Sequence, residues 1–225
     1  MSEKKRIAAV KAVEWVRDGM TVGLGTGSTA YYAIERIGSL VKEGYELLGV
    51  ATSIETERLA KEFRIPTASI DEVDGIDLTI DGADEVDPEM RLIKGMGGAL
   101  LREKIIASAS HCEIIAVDDS KLVRVLGTRT PLPVEVIPFG HKRTKASLER
   151  LGCAAVLRGG DEPYRTDNGN YTYDCRFGGI ENPEEMEQEI NMIPGVVENG
   201  LFIGLVTRVV VGTEKGPTVI ERGQV

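Results

Sequence analysis

Residues 80–87, which read IDGADEVD, gather four carboxylates directly after an apolar run that predicts a buried strand. Such a cluster can hold a divalent metal ion, form a solvated acidic turn, or supply acid and base groups to a polar substrate. Ligands bind at the carboxyl ends of the strands of an open α/β sheet, so we expect Asp81 and Asp84 to border a binding crevice. Glu85, Asp87 and Glu89 are expected to be solvated surface charges.

The spacing of these acids bears on the metal alternative. A calcium loop needs oxygen ligands at alternating positions and a glycine at the sixth, and residues 81–84 break that pattern. A magnesium site needs only one or two carboxylates plus a substrate phosphate, so the spacing leaves it open. The histidines, His111 and His141, lie far apart and no cysteine pair has CxxC spacing, which argues against a zinc site.

A second candidate segment is the glycine-rich turn GTGSTA at residues 25–30, between a predicted strand and a predicted helix. It matches the loose dinucleotide pattern, but the next strand ends in ATS without the acid that would bind the ribose hydroxyls. No Lys-Ser or Lys-Thr pair follows the glycines, so a nucleotide phosphate loop is also excluded. Two interpretations stay open: a one-phosphate site at the helix N-terminus with Ser28 and Thr29, or a tight turn with Ser28 as the helix cap.

A third candidate is Glu103, in the segment KGMGGALLREKIIASAS that predicts a helix from about Gly98. Helical spacing places Glu103 on one face with apolar residues, namely Ala99, Leu100, Ile106 and Ala107. A partly desolvated carboxylate accepts a proton more readily than a solvated one, which suits a general base. The alternative is a glutamate whose head reaches solvent or pairs with a cation. Lys94 precedes the glycines and could stabilise an oxyanion in the same cleft.

Strand and helix patterns alternate through the first 130 residues, which is typical of parallel crossovers. They predict an α/β fold: an open, mostly parallel, Rossmann-like sheet with helices on both faces, plus a smaller α+β domain. We assign residues 1–130 and 205–225 to a large catalytic domain and residues 131–204 to the small one. The segment LFIGLVTRVVVGT is read as one late strand.

Composition narrows the possible partners and location. A net charge of −9 argues against binding nucleic acid or an anionic membrane, since both need a basic face. The N-terminus has an amphipathic helical pattern instead of a signal peptide, and the three cysteines do not form a disulfide framework. We therefore expect a cytoplasmic protein.

Four segments together, GLGTGST, IDGADEVD, KGMGGALLREK and VDDSK, resemble the type A ribose-5-phosphate isomerases. The likeness extends in order to PLPVEVIPFG, TDNGN and MIPGVVENGLF, so it spans nearly the whole chain. It implies reversible isomerisation of D-ribose 5-phosphate and D-ribulose 5-phosphate in the non-oxidative pentose phosphate pathway, without metal or cofactor. It also implies a homodimer or homotetramer, with the small domain at the interface.

The resemblance assigns the site residue by residue. Glu103 takes the position of the proton acceptor. The implied substrate-binding positions are Thr26, Gly27, Ser28, Thr29, Asp81, Gly82, Ala83, Asp84, Lys94, Gly95, Met96, Gly97 and Lys121. Met96 departs from the family, which often has glycine there, so its side chain must point away if the backbone contacts substrate.

Mechanistic reasoning adds roles to these positions. An aldose–ketose conversion moves a proton between two carbons, so the single base Glu103 can serve both steps, with Lys94 stabilising the oxyanion. Asp81, with Asp84 as second choice, is expected to move protons at the sugar oxygens. Lys121 with Ser28 and Thr29 is expected to hold part of the substrate, with the phosphate as the favoured group, and the sequence does not assign each of these residues to a substrate group. Two other classes remain in competition: a sugar-phosphate sensor without turnover, and a coenzyme A transferase with a glutamate nucleophile.

Overall fold

The structure is a computed structural model that describes residues 2–221. The α-helices within those residues are α1 (Glu3–Val13), α2 (Ser28–Lys42), α3 (Ile54–Glu62), α4 (Leu100–Ser108), α5 (His141–Arg150) and α6 (Pro183–Asn191). The strands there are β1 (Thr21–Leu24), β2 (Leu48–Ala51), β3 (Leu78–Asp81), β4 (Glu85–Val86), β5 (Leu92–Ile93), β6 (Glu113–Asp118), β7 (Leu132–Val136), β8 (Ala154–Leu157), β9 (Tyr171–Arg176), β10 (Val196–Asn199), β11 (Leu201–Phe202), β12 (Arg208–Thr213) and β13 (Gly216–Glu221).

The described chain divides into two compact units. Unit 1 comprises residues 2–83, 102–121 and 205–221, and unit 2 comprises residues 84–101 and 122–204. This division differs from the domains that the sequence suggests, because residues 84–101 and 122–130 group with unit 2. The physical reason is pairing within unit 2: β4 pairs with β5, β5 pairs with β11, and Leu122 and Leu126 form isolated bridges to Val86 and Ile180.

Unit 1 is built on a six-stranded sheet in the order β13-β12-β6-β3-β1-β2. Five of its strands run parallel, and β13 is an antiparallel edge strand beside β12. Such crossovers need helices between the strands, and α2 and α3 supply them for β1, β2 and β3. The predicted α/β class, an open and mostly parallel sheet with a smaller α+β part, is confirmed.

Helices cover both faces of this sheet because its side chains alternate in direction. Val22 and Leu24 of β1 pack into a cluster with apolar residues of α1 and α2. Gly23, between them, faces the other way, where an added Cβ would lie 2.9 Å from Ile106 of α4. Ile106 packs there with Val50 and Ile76 in a separate cluster.

Unit 2 contains a four-stranded antiparallel sheet in the order β10-β7-β9-β8 and a three-stranded sheet in the order β11-β5-β4. Its apolar core includes residues of β7, β9, α5 and α6, among them Val134, Tyr173, Leu148 and Ile190. Antiparallel pairing with short connections agrees with the predicted smaller α+β domain.

One strand prediction is wrong, and one strand had no prediction. The segment read as a single late strand is two strands, β11 in the three-stranded sheet and β12 in the six-stranded one, separated by residues 203–207. The proline-rich segment PLPVEVIPFG, for which no strand was predicted, contains β7. Tertiary pairing decided both cases, because β7 is enclosed between β9 and β10. No helix within residues 2–221 is long and apolar enough to cross a membrane.

Candidate active site

The loop after β1 lies directly against the end of β3 in unit 1. The backbone N–H of Thr26 donates to Asp81 Oδ1 over 3.1 Å. Gly25 makes this approach possible, since an added Cβ would lie 2.2 Å from the same oxygen. Asp81 is buried, and its Oδ1 also accepts from the Gly82 N–H at 2.7 Å. Two backbone donors therefore fix the direction of this carboxylate.

A group of hydroxyls holds the same loop from the side of β2. Thr26 Oγ1 lies 2.7 Å from Thr52 Oγ1, 2.9 Å from Ser53 Oγ and 3.1 Å from Thr56 Oγ1. Thr52 donates to the Leu24 carbonyl, so the cluster ties both strand ends together. These residues were missed as site residues, although three hydroxyl side chains at and just after the end of a predicted strand were a usable signal.

Helix α2 begins in the glycine loop, and its first residue faces a lysine. The N-cap is Gly27, with φ of 100°, so the interpretation of Ser28 as the helix cap is wrong. The Ser28 hydroxyl instead accepts from Lys5 Nζ of α1 over 2.9 Å. Sequence reasoning missed Lys5, for which the basic start of the chain was the only signal. A lysine and a hydroxyl at a helix N-terminus can bind an anion.

The end of β6 brings a second lysine to this region. Burial favours a raised pKa for Asp118, but hydrogen bonds from Ser120 and the charges of Lys5 and Lys121 outweigh it and hold this pKa below its ordinary value. The charges of Lys5 and Lys121 both act on the Asp118 carboxylate in unit 1. Asp118 itself was not among the predicted site residues.

A cavity of about 750 Å³ opens beside the glycine loop in unit 1. Its lining combines the loop with residues of α1, α2 and α3: Ser2, Lys5, Gly25, Gly27, Ser28, Tyr31, Tyr32, Ile34, Glu55, Thr56, Arg58, Leu59 and Glu62. A cavity of this size suits a small molecule, and the ammonium group of Lys5 with the hydroxyl of Ser28 suits an anionic group on it.

Glu103 lies in the first turn of α4 and is buried. Ile106 and Ala107 of the same helix are buried with it, as its helical spacing predicts. The alternative in which the carboxylate reaches solvent is therefore wrong. In the same unit, Gly82 adjoins the glycine loop, since an added Cβ would lie 3.7 Å from Thr29 Cβ.

The remaining predicted residues belong to unit 2. Lys94 is buried, with its N–H bonded to the Gly200 carbonyl at 2.9 Å and its Nζ 5.4 Å from the centre of the Phe202 ring. Gly95 has φ of 104°, a conformation that glycine adopts without strain. The Met96 N–H donates to Asp84 Oδ2 over 3.0 Å. The Met96 side chain is 42% exposed.

Glu85 and Asp87, which were predicted to be solvated, are buried in unit 2, so that prediction is wrong for both. Glu85 accepts from the backbone N–H groups of Gly127, Arg129 and Thr130 over 2.6 to 2.8 Å. Asp87 is buried against Arg91, with Nε to Oδ2 at 2.6 Å, and burial raises its pKa despite that pair. Both carboxylates hold loops of unit 2.

No three His, Cys, Asp or Glu residues of the described part of the chain are arranged to hold a metal ion. A family model described as Ribose 5-phosphate isomerase A (phosphoriboisomerase A) matches residues 48–216. The chain belongs to the ribose 5-phosphate isomerase A family. It is therefore an isomerase of the aldose–ketose class.

Curated members of the ribose 5-phosphate isomerase A family match over nearly their whole length. The chain is 48% identical to the enzyme of Parvibaculum lavamentivorans, with 97% of this chain and 98% of the relative covered. It is 46% identical to the enzyme of Pyrococcus abyssi, with 99% of each chain covered.

Solved structures of ribose 5-phosphate isomerases share the fold. One, a complex with phospho-erythronic acid, matches with a TM-score of 0.95 and 44% identity, over 99% of this chain and all of the other. The isomerase A of Methanocaldococcus jannaschii matches with a TM-score of 0.93 and 43% identity, over 98% of this chain and 99% of that one.

The predicted site residues of this isomerase lie in both of its units. Unit 1 holds Thr26, Gly27, Ser28, Thr29, Asp81, Gly82, Ala83, Glu103 and Lys121. Unit 2 holds Asp84, Lys94, Gly95, Met96 and Gly97. Within unit 1 the glycine loop and residues 81–82 are in contact, and within unit 2 Asp84 and the 94–97 segment are in contact.

Proposed function

We propose that the protein interconverts D-ribose 5-phosphate and D-ribulose 5-phosphate through an enediolate, with Glu103 as the base. The observation that carries the proposal is the burial of three charged side chains: Asp81 is 1% exposed, Lys94 3% and Glu103 5%. Charged side chains are rarely buried to this extent unless a structural or chemical role requires it. Family membership indicates an aldose–ketose isomerisation, and this reaction needs an acid, a cation and a base. Asp81, Lys94 and Glu103 are proposed for these three roles.

Glu103 takes the proton from C2 of the open-chain aldose and returns it to C1. The electron pair left at C2 forms the C1–C2 double bond, while the carbonyl oxygen at C1 becomes the enediolate oxygen. One carboxylate serves both transfers if it lies over one face of the two carbons, and its desolvation favours proton acceptance. No redox cofactor is consumed, because the oxidation at C2 balances the reduction at C1.

Lys94 is proposed to stabilise the enediolate oxygen. Its ammonium group is buried, so its electrostatic attraction to the enediolate oxygen is stronger than it would be in water. Asp81 is proposed to move protons at the sugar hydroxyls and to assist ring opening. Its Oδ1 is held by two backbone N–H groups, which orients the carboxyl group. Asp84, whose Oδ2 binds the Met96 N–H, is the second choice.

The phosphate is proposed to bind at the N-terminus of α2. Ser28 and Thr29 offer hydroxyl and backbone donors there, and Lys5 and Lys121 offer positive charge. A relative binds phospho-erythronic acid, which carries both a phosphate and a carboxylate. That acid is therefore a suitable probe of the site in this protein.

We also propose that the enzyme works without metal or cofactor, in the cytoplasm and the non-oxidative pentose phosphate pathway, as a homodimer or homotetramer. Support for an oligomer comes from exposed apolar side chains of residues 131–204, including Phe139 at 89% and Met192 at 82% exposure. Sedimentation equilibrium of the wild type and of Phe139→Ser tests this. A monomeric wild type at micromolar concentration would contradict it.

The deciding experiment is proton NMR of the protein with ribose 5-phosphate in D₂O that contains EDTA. We expect ribulose 5-phosphate to form, with deuterium entering at C1 because the base exchanges its proton with solvent. Absence of deuterium from C1 and C2 even after prolonged reversible turnover would contradict proton transfer through an exchangeable base, and loss of conversion in EDTA would contradict the metal-free reaction. Binding without conversion would favour the sensor, and a glutamyl adduct would favour acyl transfer.

A variant pair then tests the role of Glu103. Glu103→Gln keeps the shape and removes the base, so we expect kcat to fall by about 10³-fold or more, with affinity for phospho-erythronic acid nearly unchanged. Glu113→Gln is the matched control, since Glu113 is also buried in unit 1 and has no proposed part in the chemistry. Equal losses in both variants would remove Glu103 from the mechanism.

A further inference from the structure

We infer that Arg158, held by Asp174, is a positioning residue that aims the Gly97 N–H at the substrate. The inference rests on the proposed function, in which segment 94–97 binds the sugar. It concerns a residue of unit 2 that lies about sixty positions from that segment along the chain and outside every motif of the sequence.

The first observation is a shared contact of one guanidinium group with two consecutive peptides. Arg158 Nη1 donates to the Gly95 carbonyl over 3.0 Å and to the Met96 carbonyl over 3.3 Å. The Gly95–Met96 peptide is held at its other end too, because the Met96 N–H donates to Asp84 Oδ2. One peptide plane is thus clamped between a cation and an anion.

The second observation concerns the peptide that joins Met96 to Gly97. A trans peptide is planar, and its N–H points opposite to its carbonyl. When Arg158 holds the Met96 carbonyl, it therefore also sets the direction of the Gly97 N–H. This N–H faces away from Arg158 and can donate to a sugar oxygen, which gains negative charge in the proposed enediolate.

The third observation explains why the cation is arginine. Asp174 binds the guanidinium side-on, with Nε donating to Oδ2 over 3.1 Å and Nη2 donating to Oδ1. This leaves Nη1 for the two carbonyls. A lysine ammonium cannot reproduce this planar fork, in which one edge binds a carboxylate and another corner binds a backbone segment.

The clamp is built on rigid structure. Asp174 lies in β9, opposite Pro133 of β7 and Val156 of β8. The Arg158 N–H continues the ladder by donating to the Thr172 carbonyl over 2.9 Å. A group anchored in the middle of a sheet can hold a loop within a few tenths of an ångström, which a site for a transition state requires.

Tyr164 supports the same segment from its far end. Its ring lies 5.8 Å from Arg158 Cζ, and its N–H donates to the Arg158 carbonyl over 2.9 Å. It also packs on Gly98, where an added Cβ would lie 2.3 Å from the tyrosine Oη. Arg158 and Tyr164 together therefore constrain residues 95–98.

The test compares Arg158→Lys with Arg91→Lys. Both replace the guanidinium of a partly buried Arg–Asp pair in unit 2, but the contacts of Arg91 are with Asp87, Glu89 and Glu184. We expect Arg158→Lys to lower kcat for ribose 5-phosphate by about tenfold or more, with KM changed by less than about threefold. Arg91→Lys is expected to keep kcat.

Chemical rescue gives a readout that a merely structural role would not move. In Arg158→Ala, added guanidinium ions at millimolar concentration are expected to restore part of kcat, whereas ethylammonium ions at the same concentration are not. Equal losses of kcat in the Arg158→Lys and Arg91→Lys variants, or equal effects of the two ions, would overturn the inference while the isomerase activity stands.

Amide hydrogen exchange tests, independently of activity, whether Arg158 orders residues 95–98. We expect faster exchange for residues 95–98 in Arg158→Lys and unchanged exchange for the same residues in Arg91→Lys. If the wild type fails to convert ribose 5-phosphate, the proposed function fails, and the exchange result still decides whether Arg158 orders this segment. Unchanged exchange in Arg158→Lys would overturn the inference.

Discussion

Lys5 of α1 donates a hydrogen bond from Nζ to the Ser28 hydroxyl at the start of α2, over 2.9 Å. The contact joins two segments 23 residues apart and places a positive charge at the N-terminus of a 15-residue helix. Both features attract an anion, because the helix dipole and the ammonium charge act in the same direction.

The first prediction is that Lys5→Met weakens binding of the phosphate. We expect KM for ribose 5-phosphate to rise about tenfold or more, since a charge-assisted hydrogen bond contributes about 1.5–3 kcal/mol. The change in kcat should be small, because the phosphate is remote from the reacting carbons. Steady-state kinetics provide the measurement. Lys11→Met, which removes another partly exposed lysine of α1 together with its ion pair to Glu14, should leave KM unchanged.

The second prediction concerns the approach of the glycine loop to β3. Gly25→Ala would place a methyl group 2.2 Å from Asp81 Oδ1, so either the loop or the carboxylate must move. We expect the free energy of unfolding to fall by about 1–3 kcal/mol, as in other overpacked sites, together with a loss of kcat. Urea denaturation and kinetics test both effects.

Gly75→Ala is the control for that variant, because an added Cβ at Gly75 meets no atom of the described chain within 4 Å. It should change the free energy of unfolding by no more than about 0.5 kcal/mol and keep full activity. Similar kinetics for the Gly25 and Gly75 variants would show that the position of Asp81 does not matter for turnover.

The third prediction is that Glu85→Gln destabilises the protein. The Glu85 carboxylate accepts three backbone N–H groups with both of its oxygens, whereas glutamine offers one oxygen and adds an N–H₂ donor. We expect a loss of about 2–3 kcal/mol in the free energy of unfolding by urea denaturation. Glu89→Gln, at an exposed position four residues on, should have almost no effect.

The fourth prediction is a pH dependence that arises from Asp118. Its pKa lies below the ordinary value, because burial is outweighed by Ser120 and by the charges of Lys5 and Lys121. A group with a lowered folded pKa stabilises the native state above the unfolded pKa of about 3.9 and loses that contribution as the pH falls through the folded value.

Asp118→Asn should therefore lower the free energy of unfolding at pH 6. The difference from wild type should shrink as the pH falls below about 4, because the wild-type carboxyl group is then becoming protonated. Urea denaturation at several pH values between about 6 and 2.5 measures the difference. A difference that grows towards low pH would contradict the assignment of this carboxylate.

Local patterns within short segments were enough to predict much of the fold. The alternation of strands and helices predicts a parallel α/β sheet, because parallel neighbouring strands need crossovers that are usually helical. The helical spacing around Glu103 predicts its burial, since residues three and four apart share one face. The spacing also places Lys94 next to the glycines. These features depend on residues within about ten positions of one another, so the sequence determined them.

Other features depend on partners far along the chain, and only the tertiary structure decided them. The acids of residues 80–87 look alike in sequence, yet Glu85 is buried because its donors come from residues 127–130. Residues 201–213 read as one strand, but two different sheets supply the pairing. The contacts of Lys5 with Ser28 and of Arg158 with Gly95 join residues that are distant in the sequence, so neighbouring residues do not predict either contact. Hydrogen bonds between distant segments form only after the chain folds, so periodicity and composition do not encode them in a readable form.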